Sequence, residues 1–201
     1  MQTEYRAIVE AGFLLQIDAP DLASARNNQY RHLSDDEFRS QIVERNIAML
    51  NAATAGLPPD RMRLHICWGN YEGPHTHDLP LTRIIDIAFK AIPQAISIEA
   101  ANPRHDHEWE DMQAVKVPED KILIPGVIDS TNNFVEHPRL VAQRLLRYAQ
   151  FLDRERLIAG IDCGFGTAVR RAPKVTDSIV WAKLRALHDG AELASKQLCA
   201  S

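Results

Sequence analysis

The chain has 201 residues, 45% hydrophobic and 25% charged, with a formal net charge of −4. That length suits one sizeable core in a single domain over residues 1–201 and is short for two. The mildly acidic balance gives no electrostatic footprint for nucleic acid, no basic cluster suggests a membrane surface, and no apolar run approaches the roughly 18 residues that span a bilayer.

The opening Met1-Gln2-Thr3-Glu4-Tyr5 lacks a charged-then-apolar signal pattern, which points to the cytoplasm. Phe13 to Asp18 reads as a buried strand ending in a polar residue. Ser34 is an N-cap candidate, with Asp35, Asp36 and Glu37 filling the acidic first turn of a helix. That helix is predicted through Phe38, Ile42, Val43, Ile47 and Leu50, stopping near Gly56 and the Pro58-Pro59 pair. Arg63 to Trp68 is the second predicted strand, followed by a Gly- and Pro-containing loop and a helix over Thr82 to Lys90. Further strands are expected at Ala95–Glu99, Ile122–Asp129 and Leu157–Cys163. Helical spacing of Leu140, Val141, Leu145, Tyr148 and Leu152 fills Pro138 to Leu152, and a last helix runs near Asp177 to Leu198.

Strands that are nearly all apolar, separated by helices, imply an α/β fold with a parallel sheet, covered on both faces or closed into a barrel. Each predicted strand ends in or near a chemically capable residue: Asp18, Cys67, Glu99, Asp129 and Cys163. A (β/α)8 barrel places its active site at the C-terminal ends of its strands. About five β/α units are visible where a complete barrel has eight and about 250 residues, so the expectation is the C-terminal part of such a barrel. Such a part is a truncated product or is completed by another chain or a second copy; the alternative to an enzyme is a non-catalytic truncated remnant that binds zinc or a partner chain.

His65 and Cys67 stand two apart in a strand, so their side chains share a face. With only three cysteines, Cys67, Cys163 and Cys199, a disulfide framework is not indicated. Imidazole and thiolate are good zinc ligands, and Cys163 with an oxygen from Glu99 would complete a tetrahedron. The plainer reading is a satisfied core histidine beside an inert buried cysteine.

The segments Gln16-Ile17-Asp18, Leu64-His65-Ile66-Cys67, Ile96-Ser97-Ile98-Glu99, Pro125-Gly126-Val127-Ile128-Asp129 and Asp162-Cys163-Gly164 resemble, in order, the catalytic barrel of the cobalamin-independent methionine synthases. They are also similar to the related zinc-dependent epoxyalkane:coenzyme M transferases. The resemblance implies a Zn2+ cofactor held by His65, Cys67, Glu99 and Cys163, and an aspartate, Asp18, that holds the amino group of homocysteine. It implies a transferase of methionine biosynthesis or a near relative, acting on a small-molecule thiol and an alkyl donor. Two departures matter. Asp18-Ala19-Pro20 stands where synthases usually read Asp-Glu-Pro, and Thr131 stands where they carry the histidine that protonates the folate leaving group. The latter weighs against methyl transfer from a folate. The runs Trp68–His75 and Glu99–His105 are nearer the coenzyme M transferase-like branch.

Zinc coordination makes a thiol a thiolate that stays nucleophilic, ready to attack a methyl donor or a strained epoxide. Epoxide opening needs a proton source, for which His75, His77, His105 and His107 are candidates; a solvated loop is the alternative for the first pair and a polar loop entering a helix for the second. Arg104 suits a sulfonate or carboxylate, or is a surface arginine. Asp129 orients a ligand or accepts loop N–H bonds, and Trp68 lines the site or packs.

Overall fold

The computed structural model describes residues 1–166 and 174–200. The elements run α1 (Gln2–Glu10), β1 (Leu15–Ala19), α2 (Ala25–Asn28), α3 (Asp35–Phe38), α4 (Glu44–Thr54), β2 (Met62–Ile66), α5 (Ile85–Ala88), β3 (Ala95–Ile98), α6 (Trp109–Ala114), β4 (Ile122–Pro125), α7 (Pro138–Tyr148) and α8 (Asp177–Ala200). The four strands form one parallel sheet in the order β1-β2-β3-β4. Strand order follows chain order with helical segments between the strands, the pattern of successive β/α crossovers. No helix among the described residues is long and apolar enough to cross a membrane.

Chain contacts divide into two compact units. The first comprises Met1–Gly69, His75–Ser97 and Val115–Ile122. Here β1 alternates, with Leu15, Ile17 and Ala19 buried and Gln16 and Asp18 exposed, while β2 is buried at every position but Arg63. The two strands pair in parallel from Leu15↔Met62 to Ala19↔Ile66, which sets Asp18 against His65. Ser34 caps α3 as expected: its hydroxyl accepts the Glu37 N–H, and the Glu37 carboxylate returns to the Ser34 N–H at 2.8 Å, a capping box. The predicted single helix is in fact α3 and α4 joined through a π-turn at Arg39–Val43. Phe38, Ile42, Val43 and Ile47 still face inward. Thr82 to Lys90 is a 3-10 turn, Leu81–Arg83, and the short α5 rather than one helix. Lys121 lies buried here, its ammonium donating to the carbonyls of Ala91 at 2.6 Å and Pro93 at 3.0 Å; burial lowers its pKa.

The second unit comprises Asn70–Pro74, Ile98–Ala114 and Leu123–Ser201. Its core is Val127, Ile128, Val141, Ala142, Leu145, Ala186 and Ala194, gathered where α7 packs on α8. Gly190 permits that approach: a Cβ there would fall 2.7 Å from the Pro138 carbonyl oxygen and onto Val141. The expected strand over Leu157–Cys163 is present only as two parallel bridges, Leu123↔Leu157 and Gly126↔Gly160. Hydrogen bonds from Ile158 to Leu123, Gly160 to Pro125 and Val127 to Gly160, 2.9–3.0 Å long, hold this segment beside β4. Gly160 cannot carry a side chain here, because a Cβ would meet Ile124 at 2.8 Å.

Candidate metal and thiol site

In the first unit, His65 is the penultimate residue of β2 and Cys67 follows one residue beyond its end. His65 is 7% exposed; its Nδ1 lies 3.3 Å from the Ser97 hydroxyl, and its Nε2 lies 3.9 Å from Asp18 Oδ1. Parallel register delivers this pairing, since Asp18 and His65 are direct partners across the strands. Burial is the main cause that raises the Asp18 pKa; His65 opposes it, while Cys67 and Asp21 add to it. Cys67 is half-buried, and its carbonyl accepts the Ser24 N–H at 3.1 Å, tying the segment leading into α2 to the strand end.

Trp68 is 1% exposed and its indole N–H donates to the Leu79 carbonyl at 2.6 Å, so it packs and spends its polar atom on the loop. His75 adopts φ 51, a left-handed conformation that histidine tolerates better than bulkier residues. Its Nδ1 meets Asp78 Oδ2 at 2.7 Å, and Asp78 Oδ1 accepts Asn27 Nδ2 at 2.6 Å. A histidine oriented by a buried carboxylate is equipped to carry a proton.

In the second unit, the buried side chains of Glu99 and Cys163 meet directly, the thiol donating to Glu99 Oε1 at 3.2 Å. The other oxygen, Oε2, accepts Asn102 Nδ2 at 3.0 Å. Next to Cys163, Asp162 is 2% exposed and its carboxylate receives the N–H groups of Ala100, Ala101 and Asn102, each at 2.8 Å. Burial pushes its carboxyl up to about 6; the N–H bonds pull the other way, and the Asp129 charge adds to the rise. Gly126, in the Pro-Gly-Val run, leaves room for this carboxylate.

Asp129 is buried and its Oδ1 accepts both the N–H and the hydroxyl of Thr131 at 2.7 Å, with Asn132 Nδ2 on Oδ2 at 2.5 Å. The loop it caps is braced from α8: fully buried Lys183 donates to the Asp129 carbonyl at 2.9 Å, to the Phe134 carbonyl and to Glu136 at 2.9 Å. His105 is 2% exposed, its Nδ1 2.8 Å from Glu108 Oε2. Arg104 is exposed. His107, Glu108 and Asp111 bring ligand atoms within 4.8 Å of one another, but Glu108 is already engaged by His105.

The structure thus brings together Asp18 with His65, and Glu99 with Cys163, within their own units. His75 and His105 each become half of a histidine–carboxylate pair, with partners three residues on. The partners Ser97, Asp78, Asn102 and Asp162 carry no role in the sequence reading. Asp162 had a signal, as the residue before a candidate thiolate, whereas Asn102 is polar in a polar run and nothing marks it out.

No family model matches the chain. It is 25% identical over 199 residues to a methionine synthase of Saccharolobus islandicus (strain Y.G.57.14 / Yellowstone #1), covering 97% of this chain and 48% of that protein. To a methionine synthase of Thermococcus kodakarensis it is 25% identical over 154 residues, 76% of this chain and 39% of the relative. Among solved structures, a B12-independent methionine synthase from Shewanella sp. W3-18-1, in complex with selenomethionine, matches with a TM-score of 0.73 at 23% identity, covering 100% of this chain and 54% of that one. The fold is therefore α/β of the (β/α)8 barrel type. The chain spans about half the length of the relatives it matches.

Proposed function

Since the chain falls within the superfamily of the cobalamin-independent methionine synthases, we propose that it is a zinc-dependent S-methyl or S-alkyl transferase acting on a small thiol such as homocysteine. The proposal treats residues 1–201 as one domain with a ligand set drawn from His65, Cys67, Glu99 and Cys163. The observation that carries it is the buried contact between the Cys163 thiol and the Glu99 carboxylate. Two acidic groups held together with little water are a poor core and a good cation site.

The donor chemistry fits zinc. By donor type, the imidazole of His65, the thiolates of Cys67 and Cys163 and the carboxylate of Glu99 suit a borderline-soft cation. Bound zinc would supply a substrate sulfur that is already a thiolate at neutral pH. The chain's own residues do the rest. Ser97 fixes the His65 ring through Nδ1, a support that orients a ligand imidazole. Asp18, exposed beside His65, takes the ammonium of an amino-acid thiol. The Shewanella enzyme holds selenomethionine, an amino acid of the size of the product assigned here. In transfer, a sulfur–carbon bond forms and the bond from that carbon to its leaving group breaks. The leaving atom then needs a proton, which His75 or His105 can deliver from its carboxylate-paired ring.

One observation favours an epoxide–thiol transfer over methyl transfer from a folate. Thr131, at the position of the folate-protonating histidine, is hydrogen-bonded to Asp129 through both its N–H and its hydroxyl. An epoxide supplies its own leaving oxygen and needs only one proton.

The test compares wild type with Cys163→Ser, purified without chelator. The expected result is about one zinc per chain, largely lost in the variant, with homocysteine or coenzyme M adding a sulfur neighbour in the X-ray absorption spectrum. Transfer activity that persists in a verified zinc-free sample would overturn the mechanism.

A further inference from the structure

We propose that Arg26 and Arg31 form an oxyanion-binding site that takes the acid group, carboxylate or sulfonate, of the substrate thiol. The link to that substrate rests on the transfer reading given above; the site itself does not. A cavity of about 550 Å3 lies in the first unit, and its polar lining is Arg26, Asn27, Arg31, Asp35, His77 and Asp78. Backbone bonding anchors this cavity beside the candidate thiolate. The Ser24 N–H binds the Cys67 carbonyl at 3.1 Å, so α2, which begins at the next residue and carries Arg26 and Asn27, starts from the end of β2. On the other side Asn27 Nδ2 reaches Asp78 Oδ1 at 2.6 Å, and Asp78 Oδ2 meets His75 Nδ1 at 2.7 Å. The cavity is therefore walled by the segment tied to Cys67 and by the carboxylate that orients His75.

The donors decide what fits. Asp35 accepts Arg26 Nε at 3.0 Å, and Arg26 Nη1 has only a long bond, 3.4 Å, to the Tyr30 carbonyl. Arg31 gives its Nε to the Asn27 carbonyl. Among the described residues this leaves Arg26 Nη2 and both Nη atoms of Arg31 without a protein acceptor. The Arg26 side chain is 18% exposed, so little of it is left to bulk water. A guanidinium fork presents paired N–H groups that match two oxygens of a carboxylate or sulfonate. Arg104, the candidate for such a group in the sequence, is exposed and lies in the other unit.

The first test titrates ethanesulfonate and propionate into the chain stripped of metal, so that no anion binds through an ion, and follows amide shifts by NMR. Arg26→Gln and Arg31→Gln are each expected to weaken binding about tenfold, the scale of a charge-assisted hydrogen bond. Asp35→Asn, which removes the carboxylate competing for Arg26, should tighten it, and this variant decides the matter if either arginine variant unfolds early in urea. Unchanged affinity in the arginine variants, no gain in Asp35→Asn, or no binding in wild type overturns the site. In zinc-loaded protein, Arg26→Gln should weaken homocysteine and coenzyme M about tenfold and leave 2-mercaptoethanol, which has no acid group, at wild-type affinity. An equal loss for all of these thiols refutes the substrate assignment. If no thiol reaches zinc while the titration succeeds, the transfer reading falls and the oxyanion site stands.

Discussion

Replacing Gly126 by alanine should unseat the Asp162 carboxylate. The added Cβ would stand 2.8 Å from the Asp162 Cα and 2.9 Å from its nitrogen, with Oδ1 nearer still. None of these atoms is free to give way. The Asp162 N–H is bonded to the Ile128 carbonyl at 3.0 Å, and Oδ1 holds the N–H groups of Ala100 and Ala101. Overpacking of this kind costs about 1–3 kcal/mol. Each buried N–H stripped of its acceptor adds about 1–3 kcal/mol. Since these costs overlap, a total near 3 kcal/mol is the working figure, a large share of the about 5–15 kcal/mol that stabilises an ordinary domain. Urea unfolding measures it, with the slope checked for constancy so that the shift reports stability alone. A double-mutant cycle with Asp162→Ala then isolates the clash: in that background most of the side-chain share of the penalty should vanish. A loss below about 1 kcal/mol in the single variant, or strict additivity in the cycle, would refute the reasoning.

Other outcomes follow from the same structure. Lys183→Met should cost about 3–5 kcal/mol, because it strands the Glu136 carboxylate and the buried Asp129 carbonyl, and Lys183→Met with Glu136→Leu should recover most of it; equal melts for the single and double variants would contradict the pairing. Gly190→Ala sets a helix-propensity gain of about 1 kcal/mol against overpacking of about 1–3 kcal/mol on Val141 and Pro138, so a net loss is expected and a raised midpoint would show that α7 yields. Arg39 grips Asp86 with bonds of 2.7 and 2.6 Å and holds its carboxyl below the ordinary value of 3.8. A depressed folded pKa means the pair's contribution is whole above that value and disappears as pH falls through the folded one. Asp86→Asn should therefore cost under about 1 kcal/mol near neutrality, since Asp86 is half exposed, and nothing in strong acid; a penalty that persists in acid would exclude the ion pair as its cause.

Much of this architecture is legible because it rests on period. The two-residue step from His65 to Cys67 spans the end of β2, and Ser34 with Glu37 announces a helix start that the capping box bears out. Where the reading erred, local pattern met tertiary competition. Leu157 to Cys163 has the composition of a strand but makes only spaced bridges to β4, with Gly126 and Gly160 set so close that neither tolerates a Cβ. α1 carries no expectation in the sequence reading, and of its residues only Tyr5 is buried. At the site, the candidate donors announce themselves by residue type, but their supports do not. Asn102 becomes meaningful only when Asp162, 60 residues away, arrives beside it.

The π-turn at Arg39–Val43 bears on how this chain can change length. A π-turn holds one residue more than the α-turn it replaces, absorbed locally so that the helix on either side keeps its facing. Deleting a single residue elsewhere in the helix, within α4 for example, would rotate everything beyond it by about 100° and swing Ile47 or Phe38 out of the core. Deleting one between Arg39 and Val43 would instead restore ordinary helical turns and leave both faces where they are. This short stretch is thus where the helix can be shortened by one residue without changing which side of it faces inward.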